Sequence, residues 1–564
     1  MRRPTTKQKP QTAQLHSFPA AVGGWIANRS LAVPRGQNAP PGAAVMENWF
    51  PTATGAVLRR GSRRWATING PQIRAMFTYV SGAQQQLFAA TDDAIWDATT
   101  QFSTEGWMLA TENGDVIAAD DTPTEEVAIG DAAESGRDVY TDVTNGDWSV
   151  VQFTTAGGTF LVGVNGADDG FHYDGTAWTG AGSGPLAITF PTGSALTTAD
   201  LAYVWVYQNR IWFIQKDSLD AWYLPVDQVG GELVKFPLGG VFPRGGTLIW
   251  GQSWSLSSGG DGGLSDQCVF CTTEGEIASY QGIDPGQAAT WSKVGNYRIG
   301  RPLGRKALIR AGGDLVIATT VGFVSLQMAS QTDYAALGRA AVSGPIEDEW
   351  SQAVRLRGEA DWRCQVWVDG QAVFVSPPTP VAQQPVVFCA NSVTGSWCKI
   401  TGWDITAMET FQGRFYFGSR DGNVRWGWSG GNDEGLPYTG HYLPLYDSMG
   451  SPASIKLAKM ARAVMRSAYP VTEKVTAMFG FNLAMPAPPN AVTVPIGNEW
   501  DNATWNVSLW DADRASIFKS DWRSVGGSGS DVSIAVQITS GTDIPLDVEL
   551  IRIDMTYTVA GMVT

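Results

Sequence analysis

Apolar and polar residues alternate along most of this chain in short runs broken by glycine-containing turns, the pattern of β-strands rather than helices. Residues 386–428 show it most clearly. VVFCAN and SWCKI flank a turn from Ser392 to Gly395, and WDITAMETF and RFYFGS flank Gln412 and Gly413. NVRWGW follows Asp421 and Gly422, which supply the positive φ a tight hairpin needs. The spacing predicts four or five strands forming one propeller blade or one sheet of a sandwich.

Comparable hairpins recur. FLVGVNG (160–166) and FHYDGTAW (171–178) turn at Asn165-Gly166 and Asp174-Gly175. Residues 203–225 turn at Gln208 and Asn209, 267–282 at Glu274 and Gly275, 314–326 near Gly322, and 364–375 at Asp369 and Gly370. The units return roughly every 40–60 residues, as diverged propeller blades with insertions do. A closed ring leaves few free sheet edges; stacked β-sandwiches are the competing architecture. The expected fold is mainly β, a β-propeller-like central domain plus a β-rich platform domain formed by the N- and C-terminal segments.

The expected division follows. Residues 1–25 form a flexible basic arm ordered only by partners. Residues 26–75 form an N-terminal β segment that packs with the C-terminal domain. Residues 76–430 form the propeller, with an acidic insertion at 92–147 that reads as long loops. Residues 431–564 form the C-terminal platform. Within the platform, KLAKMARAVMRSAY (456–469) reads as a short helix or a strand, and VELIRIDMTYTV as a half-buried strand.

Composition sharpens this. Charged residues are 16% of 564, below the roughly 25% of ordinary soluble domains, and there are 24 Trp. Large apolar surfaces are implied, some of them expected to be covered by neighbouring subunits. The net charge of -15 is uneven. Residues 1–74 hold 11 Lys or Arg and one acid, whereas residues 92–147 hold 15 acids and one base, Arg137. A basic segment suits an acidic partner or nucleic acid; the acidic remainder argues against gripping nucleic acid over the whole surface. The N-terminus lacks the apolar core of a signal peptide, and no run of about 18 apolar residues predicts a membrane span.

Candidate chemistry is sparse. The five cysteines make no disulfide framework, and free buried thiols are expected. Strand alternation sends Cys268 and Cys271 to opposite faces; Cys389 and Cys398 flank a turn and can face each other. His16, His172 and His441 lack partners at metal-ligand spacing. No nucleophile elbow or phosphate-binding loop appears, and Gly300 to Lys306 has the wrong spacing for one. Residues 259–263, and Asp168 and Asp169 with Asp174, offer weak calcium readings against a plain turn. Glu274, Glu276, Asp284 and Glu409 are the acids to consider for a glycosidase pair, each beside a turn. Ser419 to Trp426 resembles the Asp-box of sialidase propellers, which is a structural turn. No catalytic residue, cofactor or metal is assigned, and no enzyme is expected.

Several blocks, in order, resemble the nozzle or tail-tube (tail tubular protein B-like) proteins of short-tailed bacteriophages and prophages. They are ENWFPTATGAVLRRGSRRW (47–65), FLVGVNGADDGFHYDGTAW (160–178), RIWFIQKDSLDAWYLP (210–225), VFCTTEGEIASYQGIDP (269–285), residues 395–424 and WDNATWNVSLW (500–510). The resemblance implies a virion protein made in the host cytoplasm. It implies a ring of six copies that docks on a tail adaptor below the portal. Such a ring encloses a channel for phage DNA without sequence-specific binding and carries tail fibres or spikes outside. Arg59, Arg60, Arg63 and Arg64 are the candidate adaptor-docking residues. Asp120, Asp121, Glu125 and Glu126 are candidate lumen or gate acids, since an acidic wall repels phosphate over about 8 Å at physiological salt. The alternative is a glycan-binding or glycan-hydrolysing propeller of a tail spike.

Overall fold

The computed structural model describes residues 13–28, 32, 40–68, 71–103, 137–256, 265–492 and 517–562. The arm before residue 13, the segment 259–263, the acids Asp120, Asp121, Glu125 and Glu126, and the block 500–510 lie outside them.

Six sheets stand as separate blades of a β-propeller. The first comprises Ala75–Ser81, Gln84–Ala90, Ala94–Asp97 and Asp138–Thr141. The second runs from Ser149–Thr155 to Trp178–Gly180, the third from Leu201–Tyr207 to Val234–Pro237, and the fourth from Leu248–Leu256 to Trp291–Arg298. The fifth has three strands, Leu308–Ala311, Asp314–Thr319 and Gly322–Ser325. The last holds Ala407–Phe411, Arg414–Gly418 and Asn423–Gly427, and is extended by the N-terminal strand Ser62–Thr67. That strand pairs antiparallel with Asn423–Gly427, Asn423 opposite Thr67 and Gly427 opposite Ser62. One blade thus combines distant parts of the sequence, the closure that removes the ring's free edge.

Between the fifth blade and the last, the ring is completed by Arg363–Trp367, Ala372–Ser376, Val386–Asn391 and Trp397–Thr401. These strands are half of an eight-stranded sheet. It continues through Ala43–Glu47, Tyr438–Pro444, Val532–Ser540 and Lys474–Phe479. At the seam Glu47 pairs with Lys399 in parallel, and their side chains form an ion pair of 2.5 Å. Propeller and platform therefore share backbone hydrogen bonds.

The platform's second sheet is built on two 14-residue strands, Ser454–Ser467 and Glu549–Met562, paired antiparallel. Ala56–Leu58 and Gln14–Pro19 add to the Glu549–Met562 side, and Ile517–Lys519 to the other.

Three expectations are corrected, and residues 456–469, read as a helix or a strand, form a strand through Ser467 rather than a helix. Ala, Met, Lys and Arg favour one intrinsically, but Ala461, Ala463 and Met465 alternate into the core, and Arg462 and Arg466 meet Asp554 and Glu549 across the strand pair. Cross-strand pairing along the whole length outweighs a propensity of tenths of a kcal/mol per residue.

The meander at 386–428 is not one blade. Its first hairpin belongs to the eight-stranded sheet and its second to the last blade. The chain crosses between them at residues 402–406, where Trp403 and Ile405 are buried. The described ends of the 92–147 segment are not loops but strands of the first blade, Ala94–Asp97 and Asp138–Thr141. Finally, Ser62–Thr67 sits in the propeller, as does Ala75 at the start of the first blade, whereas Ala43–Glu47, Trp49–Pro51 and Ala56–Leu58 join the two platform sheets.

Tryptophan mostly fills cores. Ten of the twelve largest fully buried side chains are Trp. Trp212 stacks on Trp205 at 5.8 Å and on Trp291 at 5.7 Å between the third and fourth blades. Such pairs contribute about 0.5–1.5 kcal/mol each beyond their buried area. Hairpin turns lie where the sequence puts them: Gln208 and Asn209 have φ of 49° and 52°, Gln412 and Gly413 of 49° and 74°. Both central residues positive is the geometry that matches strand twist.

Candidate functional site

The four arginines of the docking proposal divide. Arg59 is 2% exposed. Its guanidinium forms a two-point pair with Asp433, at 3.0 Å to Oδ1 and 2.6 Å to Oδ2. Its Nε donates to Asn48 Oδ1 at 2.8 Å, and Nη2 donates to the Thr401 carbonyl at 3.2 Å. The Tyr438 ring lies 3.8 Å from the guanidinium carbon. Every direction a partner could approach from is filled, so Arg59 is a structural cation and leaves the docking set. The other three are at the surface with partners from the C-terminal segment. Arg60 pairs with Asp547 at 2.9 Å, Arg64 with Glu434 at 3.3 Å, and Arg63 donates to the Asp543 carbonyl at 3.2 Å.

Other sequence candidates resolve into turns and core. Asp168 accepts from the Thr144 and Asn145 amides at 2.9 and 3.0 Å and from Asn165 Nδ2 at 2.7 Å. Burial would raise its pKa, but these bonds offset it and hold the carboxyl low. Burial raises the pKa of neighbouring Asp169, which accepts from the Gly182 amide at 3.3 Å. Asp174 caps its own turn through Thr176 and Ala177. In the Asp-box-like turn, Asp421 binds Ser419 and Arg425; burial opposes ionisation, but Arg425 holds the carboxyl well below its usual range.

Glu276 accepts the Arg244 amide, and Asp284 faces Arg210 at 3.5 Å. His172 is buried against the Val229 carbonyl at 2.8 Å, and burial lowers its pKa. All five cysteines are buried and free; Cys389 and Cys398 are register partners on adjacent strands. Among the described residues no group of three or more His, Cys, Asp or Glu forms a metal site.

The concentration of charge that the sequence did not reveal is on the propeller axis. The inner strands enclose two adjoining cavities of about 230 and 480 Å³ that share Met76, Tyr203, Gln252, Lys306, Arg310 and Glu409. Asp147 stands just before the second blade, Arg305 and Lys306 just before the fifth, and Arg363 opens the next sheet. Asp147 binds all three: Arg305 Nη2 at 2.5 Å, Lys306 Nζ at 3.0 Å and Arg363 Nη1 at 3.0 Å. Burial would raise its pKa; the cations, Lys306 foremost, hold it well below the carboxylate range.

Crowding has opposite effects on the neighbours. Burial pushes Lys306 down to about 8 and Glu409 up to about 7. Glu409 is held by the Thr410 amide at 2.9 Å and feels Lys306. Tyr203 accepts from Gln252 Nε2 at 3.0 Å, and burial raises its hydroxyl to about 12. Arg310 is exposed, and its Nη2 makes only long contacts to Ser253, 3.3 Å to Oγ and 3.4 Å to the carbonyl.

These residues are separated by up to 262 positions, from Asp147 to Glu409. Arg305 and Lys306 attract notice in the sequence only as part of a failed phosphate loop. The signal that finds them is positional. Several stand at or just before the innermost strand of a blade, where a propeller brings residues to its axis. What the arrangement offers chemically is convergent charged donors together with one carboxyl that titrates near neutrality.

No protein-family model and no curated protein matches this chain. Among solved structures it is similar to the Cps50 (Swd1) β-propeller domain of Myceliophteria thermophila, at 11% identity and a TM-score of 0.35, covering 65% of this chain and 99% of that one. It is also similar to BBS1N in complex with ARL6DN, at 10% identity and a TM-score of 0.33, covering 68% and 98%. At such identities and scores the likenesses carry nothing about function. The fold is that of a β-propeller joined to a two-sheet platform, as the strand order defines it.

Proposed function

We propose that this chain is a structural subunit of the ring-shaped tail nozzle of a short-tailed phage, six copies enclosing the DNA channel below an adaptor. The observation that carries the reading is the architecture. A propeller inserted between two ends of the chain that build a common platform is the arrangement the ordered sequence blocks imply.

Surface features support assembly through the platform. The outer strands Gln14–Pro19 and Ile517–Lys519 expose Leu15 at 62% and Phe518 at 69%. Exposed edges with large apolar side chains are a liability unless another chain covers them. The pairing of Arg59 with Asp433 locks the N-terminal segment to the platform, so Arg60, Arg63 and Arg64 are presented on a rigid support. They form the adaptor-docking face in this reading. Fibres or spikes attach outside the ring, and DNA passes between the copies without being held, because phosphate contacts to Lys and Arg would retard it.

Native mass spectrometry of the purified chain tests the reading. A hexamer, alone or with its adaptor, is expected. A strictly monomeric chain that also fails to join its adaptor would refute it.

A further inference from the structure

We propose that the smaller cavity on the propeller axis is a binding site for a small phosphate dianion, either inorganic phosphate or a phosphomonoester, held by Arg310 with Lys306.

Four cations, Arg305, Lys306, Arg310 and Arg363, line the cavity, and the one fixed anion behind them, Asp147, pairs with all but Arg310. Arg74, which also lines the cavity, is cancelled by Asp92 at 3.1 Å. Glu409 lowers the positive excess from three to two when it ionises. A cavity walled by protein weakens screening and focuses such an excess. A dianion compensates it; a monoanion leaves it partly unmet.

Donor capacity agrees. Lys306 has three N–H donors, and one is committed to Asp147. Arg310 forms no ion pair among the described residues, and its one contact group is the weakly placed Ser253. Gln252 and Tyr203 add neutral polar groups to the same wall. A guanidinium and an ammonium group on the wall of one cavity are the usual means of holding phosphate oxygens. The smaller cavity, about 230 Å³, admits a small ligand and excludes a macromolecular chain.

The site is independent of the nozzle reading, since it lies inside one propeller rather than between copies. Isothermal titration calorimetry of the full chain with inorganic phosphate and with glycerol 3-phosphate, at fixed ionic strength in chloride, tests it. One saturable site per chain is expected for at least one of them. Binding of both identifies the phosphate group as sufficient; binding of glycerol 3-phosphate alone identifies a phosphomonoester site.

Arg310→Gln is expected to weaken binding at least about tenfold, the loss of roughly one charge-assisted pair, with Arg310→Lys recovering part of it. Arg310 is exposed, so the thermal midpoint should stay within a degree or two and separate binding from folding. Lys306→Met should weaken binding as well. Absence of saturable binding to either ligand at millimolar concentration overturns the proposal. So does unchanged affinity in Arg310→Gln.

Discussion

Arg59 shows how much depends on where a charge lies. Its guanidinium is buried and hydrogen-bonded to nearby Asn48 and to two remote parts of the chain through Thr401 and Asp433. Removing one partner of a buried pair costs about 3–5 kcal/mol, because the other charge remains uncompensated. Arg59→Met should therefore lower denaturant stability by that amount, with Asp433 left unpaired. Double replacement with Asp433→Leu should cost less than the single change. Arg60→Ala, at an exposed pair, should cost no more than about 1 kcal/mol. In the sequence the four arginines are indistinguishable. Only the fold tells the internal cation from the three surface ones, because Asp433 is 374 residues from Arg59.

Glu409 gives a pH-dependent prediction at the same scale. Its folded pKa of about 7 lies above the ordinary glutamate value of 4.5, so the folded state holds the proton more tightly than the unfolded chain. Stability from this group is present below pH 4.5 and is lost as pH rises through about 7. Glu409→Gln removes that loss. The variant should gain on the order of 1 kcal/mol relative to the parent at pH 8, discounted for partial solvent access, and show little difference at pH 4. Urea midpoints at the two pH values measure it; a gain at pH 4 alone would contradict the assignment.

At the scale of elements, the hairpins were legible and their membership was not. Asn209, Gly413 and Gly422 mark turns through backbone geometry that few residues adopt, a local property the sequence carries. Which sheet a hairpin joins depends on contacts hundreds of residues away. The two hairpins of 386–428 diverge for that reason, and Ser454–Ser467 is a strand paired with Glu549–Met562 on one side and with short strands on the other.

The closure of the ring depends on one such distant pairing. Ala66 is fully buried opposite Val424. Ala66→Asp should place an unpaired carboxylate there and cost about 3 kcal/mol or more. If closure by this strand holds the last blade, amide exchange in Asn423–Gly427 should rise before exchange in the third and fourth blades. Uniform acceleration throughout the chain would argue against a local role.

At the scale of the whole molecule, propeller and platform form one continuous structure through the sheet shared at Glu47 and Lys399. That rigidity suits the ring subunit proposed above, whose lateral surfaces would have to hold their shape while DNA passes. The general fold could be read in the sequence from turn spacing and strand alternation. The axial cluster of Asp147, Arg305, Lys306 and Arg363 could not, because it is assembled from separate blades. Charge reversal of Arg60, Arg63 and Arg64 to Glu should abolish co-assembly with the adaptor while leaving the far-ultraviolet circular dichroism and thermal midpoint close to the parent's. Unchanged co-assembly would remove these residues from the docking face.

The most direct measurement is electron microscopy of the purified chain alone and with its adaptor, followed by class averaging along the symmetry axis. A sixfold ring is expected, with an open or gated axial channel, platforms on the adaptor side and propellers arranged around the channel. A monomer in both preparations, or a trimer attached at the periphery of a tail, would contradict it.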